Sequence, residues 1–165
     1  MRKFLDIITG SAEKFEEPRA KQNLLSRYVG LVAEGYSSST VGALKLDEFV
    51  RGYIEALLAS NIGHDTGEAL KKHYTADDLS HDANDQIDAE CRTFLHKVGP
   101  MLTPDSYAGP ELTSLEAQAG HDFFMARSGS GTFQNWDCAG MMSDVASALG
   151  PVDPYVGPDG KIHLM

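Results

Sequence analysis

The run AGHDFFMARSGSGTFQNWD, residues 119–137, decides how the fold is read. Two short segments, HDFFMAR and TFQNW, flank the turn SGSG. Aromatic-rich runs bounded by Gly and Ser read as the two strands of a hairpin. Asp137 then suits the cap of a helix over 138–149, with Met141, Met142, Val145 and Leu149 as its apolar positions and Gly150-Pro151 as its stop. VDPYV and KIHLM flank Gly157-Pro158-Asp159-Gly160, a strong turn signal. Pro154 belongs at the start of its strand or on a sheet edge, because it donates no ladder hydrogen bond. The portion 119–165 therefore reads β-β-α-β-β.

Upstream the period is helical. In LDEFVRGYIEALLA, residues 46–59, Leu46, Phe49, Val50, Tyr53, Ile54, Leu57 and Leu58 recur at three- and four-residue steps and share one side. Gly52 costs this helix about 1 kcal/mol of propensity, which points to a close helix contact there. Residues 60–74 read as a polar loop. Thr75 and Asp78 form an approximate capping box. Ser80 caps a helix over 81–98 whose stripe is Ala83, Ile87, Cys91, Phe94, Leu95 and Val98. Gly99-Pro100 ends it. Residues 99–112 are a Pro/Gly connector, and a short helix over 112–119 leads into the opening run. At the N-terminus, weak helical patterns run through residues 1–20 and from Lys21 to a stop at Gly35, and a loop follows at 36–43.

The expected fold is α+β in one domain, 1–165. A helical N-terminal portion (1–45) and a helical core (46–98) pack on a small antiparallel sheet of β-β-α-β-β order (119–165).

Composition narrows the function classes. A hydrophobic content of 42% over 165 residues is enough for a real core. No run reaches the roughly 18 apolar residues of a membrane span. The start, MRKFLDIITG, is too short and too acidic at Asp6 for a secretion signal, so a cytoplasmic protein is expected. Cys91 and Cys138 form no CxxC and read as core residues. Net charge is −10, and it is uneven: residues 1–30 carry +2 and the rest −12. Such a surface repels nucleic acid and suits a partner with a basic groove.

Few residues carry chemistry. Arg127 is the only Lys or Arg between Lys97 and Lys161. Beside Ser128, Gly129, Ser130 and Gly131 it suits a phosphate or carboxylate; the structural alternative is an ion pair with Asp122 or Asp137. The turn lacks the spacing and lysine of a P-loop. Trp136, with Phe123, Phe124 and Phe133, offers a stacking surface for bases or packs in the core. His121 and Asp122, if on a strand, point to opposite faces and do not pair. Asp78, Asp82, Asp85, Asp88 and Glu90 form an acidic helix face, either solvated or presented to a partner. There is no HExxH, no EF-hand loop and no GxSxG elbow. No catalytic residue, metal or cofactor is expected.

Ala119-Gly120-His121-Asp122-Phe123, followed by Arg127, Gly129, Gly131, Trp136 and Asp137, resembles an uncharacterised bacteriophage protein family with the typical run AGHDFWLTRNGHGAGFWD. That family commonly ends in a segment like DLYVGDDGKIY, to which Pro154–His163 is similar. FVRGYIEALL (49–58) and the stretch from Tyr74 to Phe94 also resemble family segments, so the likeness spans roughly residues 46–165. The chain departs from the pattern in having Phe124 in place of Trp, and Ser128 and Ser130 in place of Asn and His. Its run from Arg127 to Asp137 is also one residue longer. The resemblance implies a phage accessory product acting in the host cytoplasm and carries no known reaction. Three functions are therefore carried forward. The first is binding of a host macromolecule, a defence or nucleic-acid-handling protein, through the acidic face. The second is binding of a nucleotide-like small molecule by Arg127, the SGSG turn and Trp136. The third is an enzyme using His121.

Overall fold

A computed structural model describes residues 46–64, 66–110, 114–131 and 133–165. The helices expected within residues 1–34 and the loop at 36–43 lie outside the described residues.

Four α-helices and one hairpin make up the described fold: α1 (Leu46–Ser60), α2 (His81–Val98), α3 (Leu115–Arg127), α4 (Ala139–Ala148), β1 (Pro154–Val156) and β2 (Ile162–Leu164). Short 3-10 turns at Leu70–Lys72, Ala76–Asp78, Gly99–Met101 and Pro104–Ser106 join them.

The expected β-β-α-β-β sheet does not form. HDFFMAR lies inside α3, and Phe133 to Trp136 is a turn closed by the Trp136 N–H on the Phe133 carbonyl (2.9 Å). The two-stranded β1–β2 ribbon is the only sheet among the described residues. The fold is helices packed on helices, not helices packed on a sheet. The physical reason lies in which side chains α3 buries. Ala119, Gly120, Phe123, Phe124 and Arg127 are all buried and recur at helical spacing. Two of the five are small and one is charged, so hydrophobicity alone hides the period. Ser114 starts the helix by accepting the Ala117 N–H (3.1 Å).

The α1–α3 contact holds the centre of the molecule. A Cβ on Gly52 would stand 1.9 Å from the Ala117 carbonyl oxygen, and one on Gly120 would stand 1.9 Å from that of Phe49. Each glycine admits the other helix's backbone, the close approach expected from Gly52 in the sequence. An aromatic cluster then fills the space facing α2. Phe94 of α2 stacks on Phe123 (4.1 Å between centroids) and on Phe133 (5.7 Å), and Phe49 lies 5.8 Å from Phe94. The predicted α2 stripe is buried throughout, and Ser80 caps α2 as expected, accepting from the Ala83 N–H (3.2 Å). Cys91 and Cys138 are free thiols in the core.

Met142 and Ala146 of α4 are fully buried. Asp137 does not cap α4; the cap position is Cys138, which makes no side-chain capping bond. The C-terminal hairpin forms where expected, with Tyr155 opposite His163 and Pro154 as the first residue of its strand. Ile162 seats it: its side chain is fully buried and its carbonyl accepts the Ser80 N–H (2.8 Å) just ahead of α2.

Candidate functional site

Arg127, at the end of α3, is the most heavily bonded side chain of those expected to bind a ligand. Its side chain is 1% exposed. Nη1 donates to the Glu90 carboxylate and to the Tyr53 hydroxyl (2.9 Å). Nε donates to the Gly150 carbonyl (2.8 Å) and Nη2 to that of Leu149 (3.3 Å). The guanidinium also lies 5.5 Å from the centre of the Phe123 ring. The expected ion pair thus exists with a different partner: Glu90 of α2, not Asp122 or Asp137. Carbonyls at the end of α4, left without intrahelical donors, are satisfied by a cation, which also suits the negative end of the helix dipole. Burial raises the Tyr53 hydroxyl far above its ordinary range, while the Arg127 charge beside it pulls the other way.

The turn after Arg127 completes the α3 terminus. Gly129 adopts φ 68°, the left-handed conformation common after a helix. The Ser130 and Gly131 N–H groups both donate to the Met125 carbonyl (3.0 Å each), and the Ser128 N–H donates to that of Phe124 (3.0 Å). These amides face the carbonyl end of their own helix. They do not form an outward cradle for an anion.

Trp136 is buried. Its Nε1–H donates to Asp122 Oδ2 (2.9 Å), and its ring meets Tyr107 edge-on at 4.9 Å. The ring is therefore a core element with a satisfied N–H. Phe123, Phe124 and Phe133 are buried as well.

His121 and Asp122 are in contact, against the strand-based expectation, because both lie on α3. His121 Nδ1 is 3.1 Å from Asp122 Oδ1, and Gln118 Nε2 donates to that same oxygen (2.8 Å). A carboxylate accepts, so Nδ1–H donates in this contact. The imidazole is half-exposed. Asp122 is the hydrogen-bond partner of the His121 side chain among the described residues.

The acidic residues divide. Asp78 closes the box on Thr75, accepting from its N–H (2.8 Å) and hydroxyl (3.1 Å); the backbone bond above all holds its carboxyl below the usual range. Asp88 pairs with Arg92 (2.7 Å), and Glu90 belongs to Arg127. Two residues turn an α-helix by about 200°, so Asp88 and Glu90 leave opposite flanks. Asp82 and Asp85 are the exposed ones of the five, and Asp85 faces the exposed His81 (3.5 Å). The five carboxylates are not one face.

A site the sequence did not single out lies beside Asp88. A groove of about 460 Å³ lies along α1, lined by Asp47, Val50, Arg51, Ile54, Glu55 and Leu58 of that helix, with Ala76 of a 3-10 turn and Asp88 of α2 opposite. The signal was the width of the α1 stripe. Phe49, Tyr53, Ile54, Leu57 and Leu58 all go to the core, and Val50 is partly buried against it. Arg51 is held within α1 by Glu48 and Glu55, so the groove's acids outnumber its one arginine.

Among the described residues, no cluster of three or more His, Cys, Asp or Glu side chains is placed to hold a metal ion, and no helix is long and apolar enough to cross a membrane. No protein-family model, curated protein or solved structure matches the chain.

Proposed function

We propose that the protein is a phage accessory protein that works without catalysis, binding a basic host protein in the host cytoplasm through the acidic side formed by α1 and α2. The observation that carries this reading is the acidic surface of the two helices, with Asp47 and Glu55 exposed on α1, Asp82 and Asp85 exposed on α2, and Asp88 facing α1 across the groove. An excess of negative charge on a surface speeds encounter with a basic partner and disfavours nucleic acid. The likeness of residues 46–165 to a phage family supports the setting. The test is binding to a partner purified from infected cells, measured across ionic strength. Affinity falls as salt rises, and D82K/D85K abolishes it. Salt-independent binding that this variant leaves intact rejects the proposal.

Binding of a nucleotide-like molecule at Arg127, the SGSG turn and Trp136 draws no support from the geometry, since the guanidinium and the turn amides are engaged internally and Trp136 is buried. An enzyme using His121 gains one observation, the Asp122 contact at Nδ1. General base chemistry also requires a reacting group within hydrogen-bond reach of the other ring nitrogen. His121 is not among the residues lining the groove.

A further inference from the structure

The turn of the C-terminal hairpin carries chemistry that a binding surface does not call for. Asp159-Gly160 is the single Asp-Gly step of the chain, and the sequence has no Asn-Gly step. In an Asp-Gly step the glycine nitrogen has no side chain beside it to hinder attack on the neighbouring carboxyl carbon. We propose that Asp159-Gly160 is a latent site of spontaneous isoaspartate formation, and that His163, seated on the Asp159 carboxylate, suppresses the reaction while the hairpin is folded. This chemistry is independent of what the acidic surface binds.

The reaction needs no reagent but water. The Gly160 nitrogen bonds to Asp159 Cγ, and the Cγ–OH bond breaks. The hydroxyl leaves as water with the amide proton, and a five-membered succinimide closes. Water then reopens the ring. Attack at Cγ restores aspartate. Attack at the Asp159 main-chain carbonyl carbon breaks its bond to nitrogen and leaves the backbone running through Cγ. The turn is then one methylene longer, and a main-chain carboxylate replaces the side-chain one.

Three features of the turn oppose this. First, water leaves readily only from the protonated carboxyl. His163 Nε2 lies 3.1 Å from each Asp159 carboxylate oxygen, and the Lys161 N–H donates to Oδ1 (3.1 Å). A carboxylate accepts, so Nε2–H donates in this contact. Such bonds favour the ionised form, and the His163 bond above all holds the Asp159 carboxyl below its usual range. Second, the nucleophile is engaged, because the Gly160 N–H donates to the Gly157 carbonyl (3.0 Å). Third, the imidazole is held in place. The Tyr155 ring stacks on it at 5.4 Å and 25°. Gly157 leaves it room: a Cβ there would stand 2.7 Å from His163 Cδ2 and 2.8 Å from Asp159 Oδ1. The product strains what the hairpin holds, since an added methylene disturbs the Gly157–Lys161 bond (2.8 Å) and with it the Ile162 carbonyl that accepts the Ser80 N–H.

The test ages the full chain at neutral pH, folded and in guanidinium chloride, and maps isoaspartate by electron-transfer mass spectrometry of its peptides. Asp159 isomerises at least about tenfold more slowly in the folded chain, a barrier difference of about 1.4 kcal/mol. H163F keeps a ring against Tyr155 but loses the bond to Asp159, and it speeds the reaction at least about threefold, as expected for a partly exposed pair. H163Q, which retains an N–H donor, falls between. D159E forms no isoaspartate at this position. Hydrogen exchange at the Ser80 amide shows that the hairpin stays docked in each variant. Equal rates in the folded and unfolded chain overturn the proposal, as does earlier modification of another aspartate in the unfolded chain. A parent-like rate in H163F overturns the role of His163. So does a rise in H163F matched by lost protection at Ser80, which assigns the suppression to docking alone.

Discussion

Replacing Arg127 by Met removes one guanidinium and strands four acceptors at once. Glu90 keeps its charge with its side chain 21% exposed, the Tyr53 hydroxyl loses its donor, and the Leu149 and Gly150 carbonyls lose theirs. Breaking a buried pair by deleting one partner costs about 3–5 kcal/mol, since a charge is left uncompensated. The partial exposure of Glu90 puts the value near about 3 kcal/mol. Out of a total of about 5–15 kcal/mol that is a large fraction. Arg127→Lys retains the charge but not the fork that spans α2 and the end of α4, so it loses less, about 1–2 kcal/mol. Urea unfolding followed by the fluorescence of the chain's single tryptophan, buried Trp136, provides the measurement. The pair R127M/E90Q closes a double-mutant cycle. Because E90Q removes the stranded charge, the double variant is more stable than the two single losses predict, by at least about 1 kcal/mol. A loss below about 1 kcal/mol in R127M, or additive losses in the cycle, refutes the assignment of Arg127 as a structural tie.

Three further outcomes follow from the same contacts. Gly52→Ala improves helix propensity by about 1 kcal/mol, yet its methyl meets the Ala117 backbone; a net loss of about 1–2 kcal/mol is expected, and an unchanged or raised Tm contradicts it. Asp122→Ala leaves the buried Trp136 N–H without its acceptor, at a cost of about 1–3 kcal/mol; combining it with W136F recovers part of the loss, and full additivity counts against the bond. Asp78 has a lowered folded-state pKa, so its contribution is present above the unfolded value, about 3.9, and lost as pH falls through the lowered one. D78A therefore lowers Tm at neutral pH, and its gap from the parent closes in acid; a gap constant with pH would show that the carboxylate is not what matters.

Where one face of an element is aliphatic and the other polar, the chain is legible. The α2 stripe from Ala83 to Val98, its Ser80 cap, the Thr75–Asp78 box, the span of α1 and the C-terminal hairpin all follow from spacing and turn chemistry. Reading fails at α3 for a definite cause. Its inward face is built from Ala119, Gly120 and Arg127 as well as two phenylalanines, and a glycine contact or a buried arginine makes sense only once its partner is known. The same gap misplaced the site. Arg127 looked available because Glu90 is distant in sequence, and His121 looked separated from Asp122 because the strand assignment divided them. The groove went unread because Ala76 and Asp88 come opposite α1 only in the folded chain.

Arg127 also bears on how the molecule comes apart. Its bonds reach Tyr53, Glu90 and Gly150, which are 74, 37 and 23 residues away along the chain. Contacts of such separation close only after the helices have been gathered, because each closes a loop whose entropy must already have been lost. Arg127 is thus expected to act as a late-closing latch, whose interactions form after the nucleus and break before the helices part. Removing it is expected to shorten the lifetime of the folded chain more than it delays its birth, a difference that unfolding and refolding rates measured separately would show.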